Sequence, residues 1–235
     1  RLASIGTGSR GMYSVNNLLQ RTQAEVVAIC DIYQPNLDNA AKGYPKAKQY
    51  KDYNDAIADP NVDGILISTP LHMHAPISIA GLKAGKHVFC EKPIDHDLAN
   101  IQKVVDALKG KNLKYQVGFN RRFDHNFMAV RTAVEAGKIG DIHVIRISSR
   151  DPEPPPVSYV KISGGLFLDM MIHDFDMVRY LSASEVEEVH AVGAVLVDPA
   201  IGEAGDVDTA IVTMKLKNGA LAVIDNYRKA VYGYD

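Results

Sequence analysis

Asp169 and His173 stand four residues apart in the stretch Gly164-Gly165-Leu166-Phe167-Leu168-Asp169-Met170-Met171-Ile172-His173-Asp174-Phe175-Asp176. Its apolar residues recur at helical spacing, and the two glycines stand where the helix is expected to begin. Positions four apart share a helix face, so the spacing predicts that the carboxylate and the imidazole project together. A carboxylate beside an imidazole can orient the ring, select its tautomer and raise its basicity, which is the equipment of a general base. The same residues also fit an ordinary surface helix, so the rest of the chain has to decide. A second candidate is Lys92 in Cys90-Glu91-Lys92-Pro93. Proline fixes the backbone there, and the bond before it can be cis. A lysine so held can hydrogen-bond a substrate hydroxyl and stabilise a developing alkoxide.

These residues need elements to position them, and the first half supplies alternating strands and helices. Apolar, β-branched runs occur at 2–5, 25–31, 64–68, 87–90 and 115–119, with helical spacing over 35–42, 53–59, 73–84, 97–109 and 124–136. Near-continuous apolar strands between helices predict a parallel sheet covered on both faces. Directly after the first strand comes Gly6-Thr7-Gly8-Ser9-Arg10-Gly11-Met12, and Asp31 closes the second strand twenty residues after Gly11. A lone GxGxxG is weak, but strand before, helix behind and acid after is the context of a dinucleotide fingerprint. Gly6 allows the turn, Gly8 lets backbone approach a pyrophosphate, and Gly11 lets helix pack on strand. The helix start offers N–H groups to phosphate. Asp31 is expected to accept from the adenosine ribose and to repel a 2′-phosphate, favouring NAD over NADP. Arg10 leaves NADP as a weaker alternative. Thr69, Pro70 and His74 follow the 64–68 strand at the sheet edge where ligands collect, and Glu91 and Lys92 follow the next. They are further candidates for cofactor contact. His72 and His74 otherwise read as solvent-facing residues at a helix start.

The 235 residues carry a net charge of -2 with acids and bases mixed throughout, so no basic stripe points to nucleic acid. No apolar run is long enough to span a membrane. Two cysteines, Cys30 and Cys90, exclude a disulfide framework and fit buried thiols in a reducing cytoplasm. The chain opens on Arg1 in a strand, without a signal-like segment, and some N-terminal residues are expected to be missing from it.

In the second half, 142–148, 186–195, 209–216 and 220–224 read as strands, and Asn218-Gly219 marks a hairpin. The run Asp151-Pro152-Glu153-Pro154-Pro155-Pro156 is stiff and extended and predicts a wall of the substrate cleft. Tyr159 and Lys161 read as solvent-facing loop residues, and 198–206 as a polar loop, mobile or meeting a neighbouring subunit. Arg121 and Arg122 are expected to form ion pairs at a domain interface.

Taken together, Gly6-Thr7-Gly8-Ser9-Arg10-Gly11, Glu91-Lys92-Pro93, Gly118-Phe119-Asn120-Arg121-Arg122-Phe123-Asp124, Ser149-Arg150-Asp151-Pro152, the Gly164–Asp176 stretch and Ala230-Val231-Tyr232-Gly233-Tyr234-Asp235 resemble the Gfo/Idh/MocA oxidoreductases, and within them the inositol dehydrogenases. The resemblance covers the whole chain. It implies an α/β protein with a doubly wound Rossmann domain over 1–120. Over 121–235 it implies a substrate-binding and oligomerisation domain with a large, mostly antiparallel sheet, incomplete at its C-terminal end because family members are commonly longer. It implies NAD-dependent oxidation of a secondary alcohol on a cyclic polyol or sugar. Lys92, Asp169 and His173 would be catalytic, with Asp151 and Tyr232 also touching substrate. No metal is called for. The protein would be a cytoplasmic homo-oligomer, a dimer or tetramer joined through the second sheet. Other readings are a glucose or similar sugar dehydrogenase, an NAD-dependent glycosidase, or an NAD-binding sensor without turnover.

Overall fold

A computed structural model describes residues 1–233. Tyr234 and Asp235, which the resemblance includes, lie outside the described residues. The chain divides into two units, Arg1–Gly118 and Phe119–Asp235.

In the first unit the apolar runs become six parallel strands, β1 (Leu2–Ile5), β2 (Val26–Cys30), β3 (Lys48–Tyr50), β4 (Gly64–Ile67), β5 (His87–Cys90) and β6 (Tyr115–Val117), ordered β3-β2-β1-β4-β5-β6. The helices between them are α1 (Ser9–Leu19), α2 (Gln34–Gly43), α3 (Tyr53–Ala58), α4 (His74–Lys83) and α5 (Leu98–Leu108). Asp52 and Asp97 cap α3 and α5 by accepting backbone N–H groups. Strand order reverses at β1, which pairs with β2 on one side and β4 on the other. The carboxyl ends of these strands therefore diverge into a crevice. Ala3, Ile5, Ala28, Ile65 and Ile67 are fully or nearly fully buried there. β3 has no apolar run to announce it. It is a short edge strand whose pairing with β2, Ala28 opposite Lys48 and Cys30 opposite Tyr50, makes it a strand.

The second unit holds β7 (Val144–Arg150), β8 (Val186–Ala194), β9 (Thr209–Leu216) and β10 (Leu221–Tyr227), ordered β7-β10-β9-β8. Only the β7–β10 pairing is parallel. The expected hairpin turn joins β9 to β10, with Gly219 at φ +90. Its helices are α6 (His125–Glu135), capped by Asp124, then α7 (Val157–Ser163), α8 (Ile172–Ser182) and α9 (Pro199–Glu203). One sheet face, with Ile145, Val212, Met214, Ala222 and Ile224, packs against Leu166, Met171 and Val178.

Three expectations are corrected here. The Gly164–Asp176 stretch is not one α-helix: Gly164 ends α7 in the left-handed region, Leu166–Met170 form a π turn, and α8 starts at Ile172. Tyr159 and Lys161 lie on α7 rather than in a loop. Residues 198–206 contain α9, capped by Asp198 and anchored by the fully buried Ile201. Asp208, itself buried, accepts the N–H groups of Leu196, Val197 and Asp198 just before that helix.

Candidate active site

The glycine loop between β1 and α1 has the form the fingerprint requires. Gly6 sits at φ +86, and a Cβ there would lie 2.6 Å from the Ser68 backbone. At Gly11 a Cβ would fall 2.0 Å from the Gly6 carbonyl oxygen. At Gly8 it would meet only the Asn36 side chain, at 3.6 Å. The first two glycines are thus demanded by backbone packing, whereas Gly8 leaves room for something to approach. Gly8 also brings no side chain to cap α1, so the first N–H groups of the helix stay available to an anion. These residues line a cavity of about 590 Å³ with Ser9, Arg10, Asp31, Thr69 and Pro70. A dinucleotide fits this donor set: backbone N–H groups for pyrophosphate at one side, a carboxylate for ribose at the other.

Asp31 is fixed by the loop it serves. Its Oδ2 accepts from the Thr7 N–H (2.8 Å), the Thr7 hydroxyl (3.2 Å) and Asn36 Nδ2 (3.2 Å), and its Oδ1 accepts from the Tyr33 N–H (2.9 Å). Thr7 is therefore a buried partner of Asp31, and Met12 packs against the core.

The lysine turn follows β5, and the Lys92–Pro93 peptide is cis. Both neighbours of Lys92 are braced from the loops around the cavity. Glu91, nearly buried, accepts from Arg10 Nε (3.1 Å), Arg10 Nη2 (3.4 Å) and the Ser14 hydroxyl (3.0 Å). His74 is buried rather than solvent-facing. Its Nδ1 lies 2.8 Å from the Pro93 carbonyl and its Nε2 2.9 Å from that of Thr69. Arg10, the expected support for NADP, is thus occupied by a carboxylate, and Glu91 and His74 brace the loops. Cys30 and Cys90 are buried free thiols, and burial pushes them up to about 12 and about 11.

In the second unit, Asp169, His173 and Asp151 line one cavity of about 240 Å³ with Arg121, Ser149, Arg150 and Met170. His173 lies in the first turn of α8, its ring edge-on to Phe119 at 6.4 Å between centroids. Asp169 lies on the π turn, a form of helix that recurs at functional sites. Its Oδ1 accepts from the Tyr159 hydroxyl at 2.9 Å. Burial pushes that hydroxyl up to about 12, and the Asp169 charge adds to the shift. Burial also raises Asp151, with Arg228 opposing and Asp169 reinforcing.

The arginine pair is bound inside this unit, not across a domain interface. Arg121 pairs with Asp174, which is fully buried and also accepts from Ser149 Oγ and Asn226 Nδ2, each at 2.8 Å. Arg122 grips Asp176 with two bonds, 2.8 and 2.6 Å. Asp174 and Asp176 are therefore structural anchors for α8. Tyr232 follows β10, with its hydroxyl 3.2 Å from that of Tyr227.

Two residues that the sequence does not single out stand around the pair, and a third, Tyr159, is more than the loop residue it resembles. Asp206 accepts the Leu166 N–H with both oxygens at 3.0 Å, at the start of the π turn. Arg228, 1% exposed, brings its guanidinium to 3.8 Å from Asp169 and Asp151 and 3.9 Å from Asp206. Tyr159 stands on α7 and donates its hydroxyl to Asp169. A signal for Arg228 existed: alternation along β10 places Ala222, Ile224 and Asn226 inward, and Arg228 continues that series. No group of three or more His, Cys, Asp or Glu side chains among the described residues is arranged to hold a metal. No helix among them is long and apolar enough to cross a membrane.

Residues 1–119 match the oxidoreductase family with an NAD-binding Rossmann fold, and 127–235 match the GFO/IDH/MocA C-terminal domain. Among curated proteins, the chain is 50% identical to myo-inositol 2-dehydrogenase of Thermotoga maritima, covering 100% of this chain and 70% of that one. It is 42% identical to inositol 2-dehydrogenase of Rhizobium meliloti, covering 100% and 71%. Among solved structures, it superposes with a TM-score of 0.91 on scyllo-inositol dehydrogenase of Lactobacillus casei with bound NAD(H) and scyllo-inositol, at 34% identity over 100% of this chain and 71% of that one. By fold, by glycine loop and by both family matches, the chain belongs to the Gfo/Idh/MocA oxidoreductases, built on an NAD-binding Rossmann fold.

Proposed function

We propose that the protein oxidises a secondary ring hydroxyl of an inositol to the ketone, an inosose, with His173 as general base. The observation that carries the reading is the small polar cavity where His173, Asp169 and Asp151 converge with two arginines. Such a lining suits a ligand made of hydroxyls, and a site built to bond hydroxyls rejects analogues that lack them. The inositol dehydrogenases among the relatives point to the same substrate class.

NAD+, held by the Gly6–Gly11 loop and Asp31, supplies the hydride acceptor when bound. His173 takes the hydroxyl proton as the ring C–H is lost, a role worth about a hundred- to ten-thousandfold in rate. Asp169 orients the imidazole and balances the charge it gains. Asp151 receives hydrogen bonds from the other ring hydroxyls, and Tyr232 is assigned to substrate as well. Lys92 is assigned the cationic role, donating to the reacting oxygen and offsetting its charge. The products are inosose, NADH and a proton.

The open face of the second sheet supports a homo-oligomer. Val144 stands opposite Leu221, and Ile211 opposite Val192, all more than half exposed on the face turned away from Leu166, Met171 and Val178. A row of exposed apolar side chains on an open sheet is the kind of patch that a second copy covers. Two free thiols fit work in the cytoplasm.

The test is NADH formation by the full-length protein on myo-, scyllo- and chiro-inositol and glucose, with NAD and NADP. Turnover on an inositol with NAD is expected. Glucose as the best substrate would make it a sugar dehydrogenase, and bound NADH with no turnover would make it a sensor.

A further inference from the structure

The buried guanidinium of Arg228 serves no bond that the proposed reaction explains. The residue follows β10, is 1% exposed, and donates its backbone N–H to the Asp208 carbonyl at 3.0 Å. An arginine is almost never fully buried unless carboxylates answer its charge. Here three do, from three separate segments: Asp151 after β7, Asp169 on the π turn, and Asp206 after α9. Each lies 3.8–3.9 Å away, beyond hydrogen-bond length but well within the range where opposite charges set each other's protonation. Nε and Nη2 make no hydrogen bond among the described residues. Arginine suits the place because its planar fork presents donors in several directions at once, whereas lysine offers one compact charge.

The other two groups of the cluster are tied to the same turn. Asp206 reaches the Leu166 N–H only because residue 165 is glycine: at φ +73, a Cβ there would lie 2.4 Å from Asp206 Oδ1. Asp169 is held on Oδ1 by Tyr159 and faces Arg228 with Oδ2. The guanidinium thus links the cap of the π turn to the carboxylate that the turn carries.

We propose that Arg228 is a positioning residue for the reaction, holding Asp169 in place for His173 while balancing Asp151 and Asp206. This rests on the reading of Asp169 and His173 as the catalytic pair. The titratable and charged groups around the guanidinium are Asp151, Asp169, Asp206 and the Tyr159 hydroxyl, with Arg121, Arg150 and His173 lining the same cavity as Asp151 and Asp169. Without the cation, the three carboxylates face one another with no opposite charge, and Asp151, already raised by burial, loses the guanidinium that opposes that rise. A carboxylate pushed aside by its like-charged neighbours no longer orients the imidazole.

The experiment compares Arg228→Met, Arg228→Lys, Asp206→Asn and Asp169→Asn in the full-length protein, reading kcat, KM for the best inositol, NADH affinity and the pH dependence of kcat. For Arg228→Met, kcat is expected to fall about ten- to a hundredfold, the scale of a small misplacement in a catalytic constellation. The acid limb should move up by about one pH unit, since an adjacent opposite charge shifts a carboxyl by about that much. NADH affinity should stay unchanged. Arg228→Lys should return the limb to its wild-type position. Asp206→Asn should move it the other way, and it carries the test if Arg228→Met does not fold. An unmoved acid limb in both Arg228→Met and Asp206→Asn would overturn the proposal, as would an Arg228→Lys variant as slow and as shifted as Arg228→Met. If instead Asp169→Asn turns over like wild type, the catalytic pair itself is wrong.

Discussion

In the first unit, the cavity at the sheet edge is shaped by backbone. Gly6 and Gly11 sit where any side chain would strike Ser68 or the Gly6 carbonyl, and the helix start presents N–H groups. In the second unit, the cavity around His173 is shaped by buried charge. Arg121 on Asp174, Arg122 on Asp176, and Arg228 among Asp151, Asp169 and Asp206 hold α8 and the turn before it. A backbone site suits what is constant in its ligand, as a pyrophosphate is. A charge-built site can be re-tuned one side chain at a time, which suits a substrate pocket. The price of the second design is dependence on every member, because one ion removed leaves others buried without partners.

The sharpest way to break the first site is to add one methyl group. Gly11→Ala places a Cβ 2.0 Å from a carbonyl oxygen that cannot move alone. Overpacking of this kind costs about 1–3 kcal/mol. NADH affinity is therefore expected to fall about ten- to a hundredfold, at about 1.4 kcal/mol per tenfold. Titration of NADH fluorescence measures it, and wild-type affinity would show that the loop is not shaped by packing.

The matching change in the second unit is Gly165→Ala. It forces an alanine to φ +73 and ψ -172, a conformation essentially confined to glycine, and against Asp206, at a cost of about 1–3 kcal/mol from the backbone alone. The expected outcome is a lower Tm and about a tenfold loss of kcat, as for a small catalytic misplacement, with NADH affinity intact. Equal damage to both activities would erase the contrast between the units.

The smallest expected effect on either activity is at Asp208, whose contribution is to stability in acid. Burial works to raise the Asp208 carboxyl, but the N–H groups of Leu196, Asp198 and Val197 and the Thr209 hydroxyl outweigh it and hold the group below its ordinary value. A lowered folded pKa contributes stability that is present above the unfolded value, near 3.9, and is lost as pH falls through the lowered one. Asp208→Asn should cost about 1–3 kcal/mol at pH 7, as for hydrogen bonds to a charged group. It should also flatten the loss of Tm below pH 4. A variant as acid-sensitive as wild type would mean that other carboxylates set the limit.

How much of this could be read from residues alone follows the same division. The glycine loop was legible because its determinants are contiguous and its acid lies at a fixed distance along the chain. β3 was not, since Lys48, Gln49 and Tyr50 form a strand only by pairing with β2. Asp169 and His173 were legible as residue types, but their four-residue spacing implied an α-helix where a π turn stands. What makes that turn is Asp206, forty positions away, reaching a backbone N–H past Gly165. Long-range charge pairing leaves no local pattern. Arg228 left only a trace, as the inward member of an alternating series in a strand whose other inward residues are mostly apolar.

The central claim is that His173 is the base. The most direct test is kcat of His173→Ala at saturating inositol and NAD, with NADH affinity measured alongside. The account predicts a fall of about a hundred- to ten-thousandfold at unchanged NADH affinity. Turnover close to wild type would contradict it.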